Sequence, residues 1–126
     1  MAKKKKKEPR IECIAYVSTQ GSMRQTEIAE RRQERYIREY AKAHSIDIVD
    51  VYYRRGMGQA VVNRHIDEIA YLIEKNRVAG IIVANTMSIS TSVPDAYYKV
   101  GKICAAGGTF VTVDEGRLSL NIKEEP

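Results

Sequence analysis

The sequence predicts a single α/β domain of three layers: a mainly parallel sheet of four or five strands with helices on both faces. Three observations predict it. Short apolar, partly β-branched runs recur along the chain, as in strands buried on both faces. Stretches with apolar residues at spacings of three and four separate them, the mark of helices that lie on a sheet. The connections are short, and strands alternating with helices imply parallel pairing. At 126 residues the chain suits one domain with one core.

Ile11 to Val17 (IECIAYV) reads as the first buried strand, and Ser18 to Arg24 as a polar loop. A helix follows from about Gln25 to His44, its apolar face carrying Ile28, Ala29, Ile37, Tyr40 and Ala41. Ile46 to Tyr53 (IDIVDVYY) is the second strand, and Arg54 to Val62 a loop with two glycines. Asn63 to Lys75 is a short helix with Ile66, Ile69, Ala70 and Ile73 on one face, and Gly80 to Ala84 (GIIVA) is the third strand. A hydroxyl-rich loop, Asn85 to Ser92, leads to a helix with Ser92 as cap and Pro94 in its first turn. That helix stops near Ala106, before Gly107 and Gly108. Thr109 to Val113 (TFVTV) is a fourth strand, and Leu118 to Ile122 a fifth or an edge strand. No internal repeat and no second domain is visible.

The net charge of +5 is concentrated at one end. Lys3, Lys4, Lys5, Lys6, Lys7 and Arg10 outweigh Glu8 in the first ten residues, and the remainder holds fifteen basic and fifteen acidic side chains. Residues 1–9 are therefore expected to form a disordered basic tail, and residues 10–126 an electrically balanced domain. The tail would add nonspecific affinity for phosphate, unless it only aids solubility. No apolar run approaches the roughly 18 residues of a membrane span, and no apolar stretch follows the lysines as in a signal peptide. Cys13 and Cys104 form no CxxC pair and lie in apolar segments, which fits reduced, buried thiols in a cytoplasmic protein. His44 and His65 lack companions at ligand spacing, so no metal is argued, and both read as surface residues. Phosphate-loop, dinucleotide and GxSxG motifs are missing, so no cofactor is expected.

In an open parallel sheet, ligands bind outside the carboxyl ends of the strands. That rule nominates Ser18-Thr19-Gln20, Arg54-Arg55-Gly56, Asn85 to Ser90 and Asp114-Glu115-Gly116. Ser18 directly follows the first strand and is either a nucleophile needing activation or an ordinary loop serine. Arg64, placed in a helix's first turn, either offers its fork to an anion or pairs with Asp67 or Glu68 on the surface. Gln33 lies on the line Ala29–Gln33–Ile37–Ala41 that otherwise faces the core. Its amide needs partners, either a neighbouring backbone or the loop that holds Ser18.

Those blocks, IECIAYVST, the long helix with Gln33, YRRGMGQAVVNR, GIIVANTMSIS and GTFVTVDEG, resemble in order and spacing the catalytic domain of serine recombinases, the resolvase and invertase group. The resemblance spans about residues 10–120. It implies a resolvase-like fold and DNA strand exchange, in which a serine attacks a DNA phosphate to form a phosphoserine link while arginines stabilise the charge. By position Ser18 matches the nucleophile, Arg64 the arginine that opens the second helix, and Gln33 the glutamine of the first helix. The family pattern also has an arginine two residues before the serine, where this chain has Tyr16. Its Asp-Arg pair and further arginine after the third strand correspond to Thr86, Met87 and Ser90 here. Arg24, Arg54 and Arg55 are candidate substitutes from the neighbouring loops, although spacing alone does not place them.

The resemblance therefore implies a degenerate recombinase domain of a mobile-element protein, impaired in catalysis. With the chain ending at Pro126, it is expected to lack the subunit-joining helix and helix-turn-helix domain of the family. Its expected partners are DNA, bound weakly and partly through the tail, and a second copy or a full-length recombinase; no membrane is expected. Two other readings compete: an active DNA-cleaving fragment using Ser18 with replacement arginines, and a flavodoxin-like module that binds a small ligand or a protein.

Overall fold

The computed structural model describes residues 10–19 and 23–118, with the side chains of residues 23 and 24 excepted. The expected tail at 1–9, with its five lysines, Gln20 and the side chain of Arg24 lie outside the described residues. The elements are β1 (Ile11–Val17), α1 (Met23–Ala43), β2 (Ile46–Tyr53), α2 (Gln59–Glu74), β3 (Gly80–Val83), a 3-10 turn (Thr86–Ser88), α3 (Val93–Ala105), β4 (Thr109–Thr112) and β5 (Gly116–Leu118). The sheet order is β2-β1-β3-β4-β5. The first four strands are parallel to their neighbours, and β5 runs antiparallel to β4.

Alternation along β1 builds the three layers. Ile14 and Tyr16 project into a core with Ile81, Val83 and Phe110 that α2 and α3 cover through Val62, Ile66, Ile69, Ile73, Val100 and Ile103. Cys13, Ala15 and Val17 project oppositely and meet Ile82, Val111 and α1's Ile37 and Ala41. Register carries each core across the strands: Ile14 pairs with Ile81 and Ile81 with Phe110 on one face, Ala15 with Ile82 and Ile82 with Val111 on the other. Gly80 is required where β3 meets β4, because a Cβ there would lie 2.2 Å from the Thr109 carbonyl oxygen. Among the described residues, no helix is long and apolar enough to cross a membrane.

Three details differ from the sequence reading. The second helix starts at Gln59, not Asn63, with Gly58 as its N-cap. Ala60, Val61 and Val62 thus join the helix rather than the loop, because burial of Val62 beside Ile66 and Ile69 stabilises an extra turn. Ile28 is exposed, because the core-facing line of α1 runs through Ile37 and Ala41. The last strand is Gly116–Leu118, reached by a tight turn in which the Thr112 hydroxyl accepts from the Glu115 N–H. Residues 119–122, the rest of the expected fifth strand, lie outside the described residues. The third helix matches its prediction: Ser92 caps it by accepting from the Asp95 N–H.

Candidate active site

Ser18 is the first residue beyond β1, half-buried at the carboxyl edge of the sheet. Its backbone is held on both sides. The Gln33 side chain accepts from the Ser18 N–H at 2.8 Å and donates to the Ser18 carbonyl at 3.1 Å. Both ends of the amide are thus spent on one residue, which answers the question its place on the core line of α1 raised. Gln33 positions the serine, and one N–H of its amide is left over from these two bonds.

The loop after β2 closes on the same point. The Arg54 N–H donates to the Val17 carbonyl at 2.9 Å and the Gly56 N–H to the Thr19 carbonyl at 3.0 Å, so the two strand ends continue side by side. Arg55 and Gly56 are both left-handed, with φ of 55° and 73°. Glycine takes that conformation freely, whereas arginine does so at some cost in strain. The turn sends consecutive arginines to different partners. Arg55 lies over the Tyr53 ring at 4.5 Å and 3.8 Å from the Glu30 carboxylate. Arg54 turns inward, where Nε donates to the Met57 carbonyl at 2.5 Å and Nη1 to the Ser18 Oγ at 3.3 Å.

Arg54 is only 6% exposed, and among the described residues it has no carboxylate within ion-pair distance. Taking a guanidinium out of water costs several kcal/mol unless a counter-charge offsets it. Here a serine hydroxyl and a carbonyl, both neutral, are its hydrogen-bond acceptors. Among the described residues, the buried Thr19 hydroxyl beside this site and one buried oxygen of Glu30 also lack hydrogen-bond partners. Arg54, Ser18 and Gln33 converge; Arg55 is committed elsewhere.

Arg64 occupies the second turn of α2, because that helix begins five residues earlier. The expectation of an arginine at a helix start is therefore corrected. Its side chain is 63% exposed and 4.0 Å from Glu68. Burial pushes the Tyr16 hydroxyl up to about 12, and the positive charges of Arg54 and Arg64 oppose that rise.

The positions where the resemblance calls for charge have other duties. Tyr16 is fully buried, and its hydroxyl is 2.9 Å from Nδ1 of His65. His65 is thus a half-buried partner of the strand and not a surface residue; Tyr52 also meets it edge-on at 5.1 Å. The spacing Val62–His65–Ile69–Ile73 places it on the inner line of α2, a signal present in the sequence. In the 3-10 turn, Thr86 is half-buried and Met87 is 64% exposed. Ser90 is buried and accepts from the Ser92 N–H at 3.1 Å. Lys99, followed by Ser90, holds the Asp95 carboxyl below its usual range. Lys99 is itself buried and pairs with Asp95 at 2.5 Å, an internal cation not anticipated from the sequence.

Cys13 and Cys104 are free, and burial pushes the Cys13 thiol up to about 12, so it is a poor nucleophile. Among the described residues, no group of three or more His, Cys, Asp or Glu side chains is arranged to hold a metal ion.

No family model matches the sequence, and no curated protein matches it. Solved structures do match the fold. A resolvase family site-specific recombinase from Streptococcus pneumoniae superposes with a TM-score of 0.71 at 18% identity, over 85% of this chain and 74% of that one. The N-terminal catalytic domain of TP901-1 integrase gives 0.64 at 19% identity, over 83% and 78%. The C-terminal catalytic domain of ISC1926 TnpA, an IS607-like serine recombinase, gives 0.63 at 16%, over 82% and 67%. The resemblance read from the sequence blocks thus holds for the fold, which is that of a serine recombinase catalytic domain.

Proposed function

We propose that this domain is a recombinase-like DNA-binding unit that takes a backbone phosphate at the carboxyl ends of β1 and β2, and that it is impaired in strand exchange. One observation carries the reading: Arg54 is a buried guanidinium with no carboxylate within ion-pair distance among the described residues, and it donates to the hydroxyl of Ser18. A phosphodiester is the missing counter-charge, and arginine's fork suits its oxygens. Bound there, the phosphorus would face the Ser18 oxygen while Gln33 holds the serine backbone still.

Impairment follows from the surrounding charges. Attack by serine loads negative charge onto the phosphate, and each preorganised donor lost raises the barrier by about 3 kcal/mol. Tyr16 is turned to His65, Ser90 to the start of α3, and Met87 is apolar. Arg54 supplies one nearby charge and Arg64 a more distant, exposed one.

The test combines ligand-dependent unfolding with a covalent trap. Inorganic phosphate and short DNA should raise the Tm of the unaltered chain. Arg54→Met should have an unliganded Tm at least as high, since an unpaired buried charge is gone, and should lose the phosphate-dependent rise. An equal rise in Arg54→Met would overturn the assignment of the site. A second reading, residual cleavage with Arg54 as replacement arginine, is favoured by the Arg54–Ser18 contact alone. In that reaction the Ser18 oxygen bonds to phosphorus, a phosphorus–sugar oxygen bond breaks, and the proton ends on the departing hydroxyl. A covalent DNA adduct on a denaturing gel, absent in Ser18→Ala, would establish it; the impaired reading expects none.

A further inference from the structure

We infer that the solvent face of α1 is a second DNA contact, a line of cations that docks along one phosphate strand of a duplex. The inference rests on the reading that this domain handles DNA, but it concerns a different surface. Arg31, Arg35, Arg38 and Lys42 are separated by four, three and four residues, the spacing of one helical stripe, and all four are exposed. Ile37 and Ala41, off this stripe, are buried against the sheet, whereas the four cations face solvent.

The stripe is not neutralised from within. Arg38 pairs with Glu34 at 2.9 Å, whereas Arg31, Arg35 and Lys42 form no ion pair among the described residues. Glu39 flanks the line one residue from Arg38 but closes no bridge to Arg35. By spacing, two like-charge pairs stand at i,i+4, Arg31 with Arg35 and Arg38 with Lys42, each unfavourable for the isolated helix, and of the neighbouring Glu34 and Glu39 only Glu34 closes a bridge, to Arg38. A polyanion laid along the stripe relieves both.

Geometry selects the class of partner. Eleven residue steps at a rise of 1.5 Å make a line about 17 Å long. Each DNA strand offers a phosphate about every 3.4 Å along the axis, so a continuous row of anions runs past the whole stripe. An acidic protein surface offers scattered carboxylates instead. The zero net charge of the body beyond the first ten residues hides this feature, because it averages α1 with the acidic residues elsewhere.

The experiment is a salt series on the full chain with a short fluorescein-labelled duplex of arbitrary sequence, read by anisotropy. Replacing Arg31, Arg35 and Lys42 by glutamine should lower the slope of log affinity against log salt by about 2.7, at about 0.9 per phosphate contact. Glutamine suits an exposed helix, and circular dichroism checks the fold. Glu39→Lys, which extends the stripe, should raise affinity and slope, a gain that misfolding does not produce. An unchanged slope in the glutamine variant overturns the inference, as does binding of polyglutamate in preference to the duplex. Arg54→Met separates this surface from the Ser18 site: a stripe effect that persists in Arg54→Met supports the stripe even if the site reading fails. Loss of phosphate response there with no stripe effect leaves the site standing and removes the stripe.

Discussion

The carboxyl ends of β1 and β2 differ sharply from that of β3, although all three lie along one edge of the sheet. At β1 and β2 the polar groups are aimed at each other: Ser18 is clamped by Gln33, and Arg54 donates to its hydroxyl with no carboxylate within ion-pair distance among the described residues. At β3 the polar groups serve the fold. Ser90 accepts from Ser92 at the start of α3, Gln59 donates to the Ile89 carbonyl, and Met87 exposes only an apolar chain. Tyr16 likewise serves the fold, its hydroxyl turned to His65. The lesson is that fastening the two strand ends together leaves Ser18 and Arg54 facing each other, whereas the polar groups beyond β3 are used up in packing and capping.

That contrast can be broken most forcefully at position 16. Tyr16→Arg should destabilise the domain by about 3–5 kcal/mol, because a charge would enter a fully buried position with no counter-charge. Urea unfolding measures it, and native-like stability would mean that the position is still open to a site. Gln33→Ala comes next. It removes both partners of the Ser18 backbone, which is half-buried, and should cost about 1–2 kcal/mol. The Ser18 amide should then exchange with solvent faster; unchanged exchange would show that the clamp is dispensable.

Acid offers a smaller effect. Burial holds the His65 imidazole below its ordinary value, Glu68 opposes that shift and Arg64 reinforces it. The unfolded chain therefore takes up the proton first as pH falls. Stability is complete above the ordinary histidine value near 6.5 and declines as pH drops through it toward the folded value. His65→Gln should remove that part of the slope while leaving the decline at lower pH that belongs to carboxylates such as Glu34, which Tyr53 and Arg38 hold below the usual range. A wild-type slope in His65→Gln would detach His65 from the Tyr16 contact. The smallest effect is expected at position 87. Met87→Arg places a charge at an exposed site, so stability should change by no more than about 0.5 kcal/mol. Cleavage should remain undetected, because a single restored charge leaves Tyr16 and Ser90 as they are.

The sequence by itself determined the layers, the parallel pairing and the edge of the sheet where chemistry would sit. Period and β-branching are local properties, and β1 and β2 begin and end where the residues indicate. It also marked Gln33 as an oddity on an apolar line, since a lone amide at core spacing must find partners. Contacts between residues distant in the chain were decided only by the tertiary structure. Arg54 and Arg55 are neighbours of identical type, and nothing in their order tells which one turns inward. The left-handed turn at Arg55 and Gly56, with the bond from Gly56 to the Thr19 carbonyl, makes that choice. The start of α2, and with it the place of Arg64, depended on the burial of Val62 against strands elsewhere in the chain. His65 became an internal partner only because β1 brings Tyr16 beneath it. Propensity acts along the chain, whereas burial and charge pairing act across it, and the latter set which side chains reach Ser18.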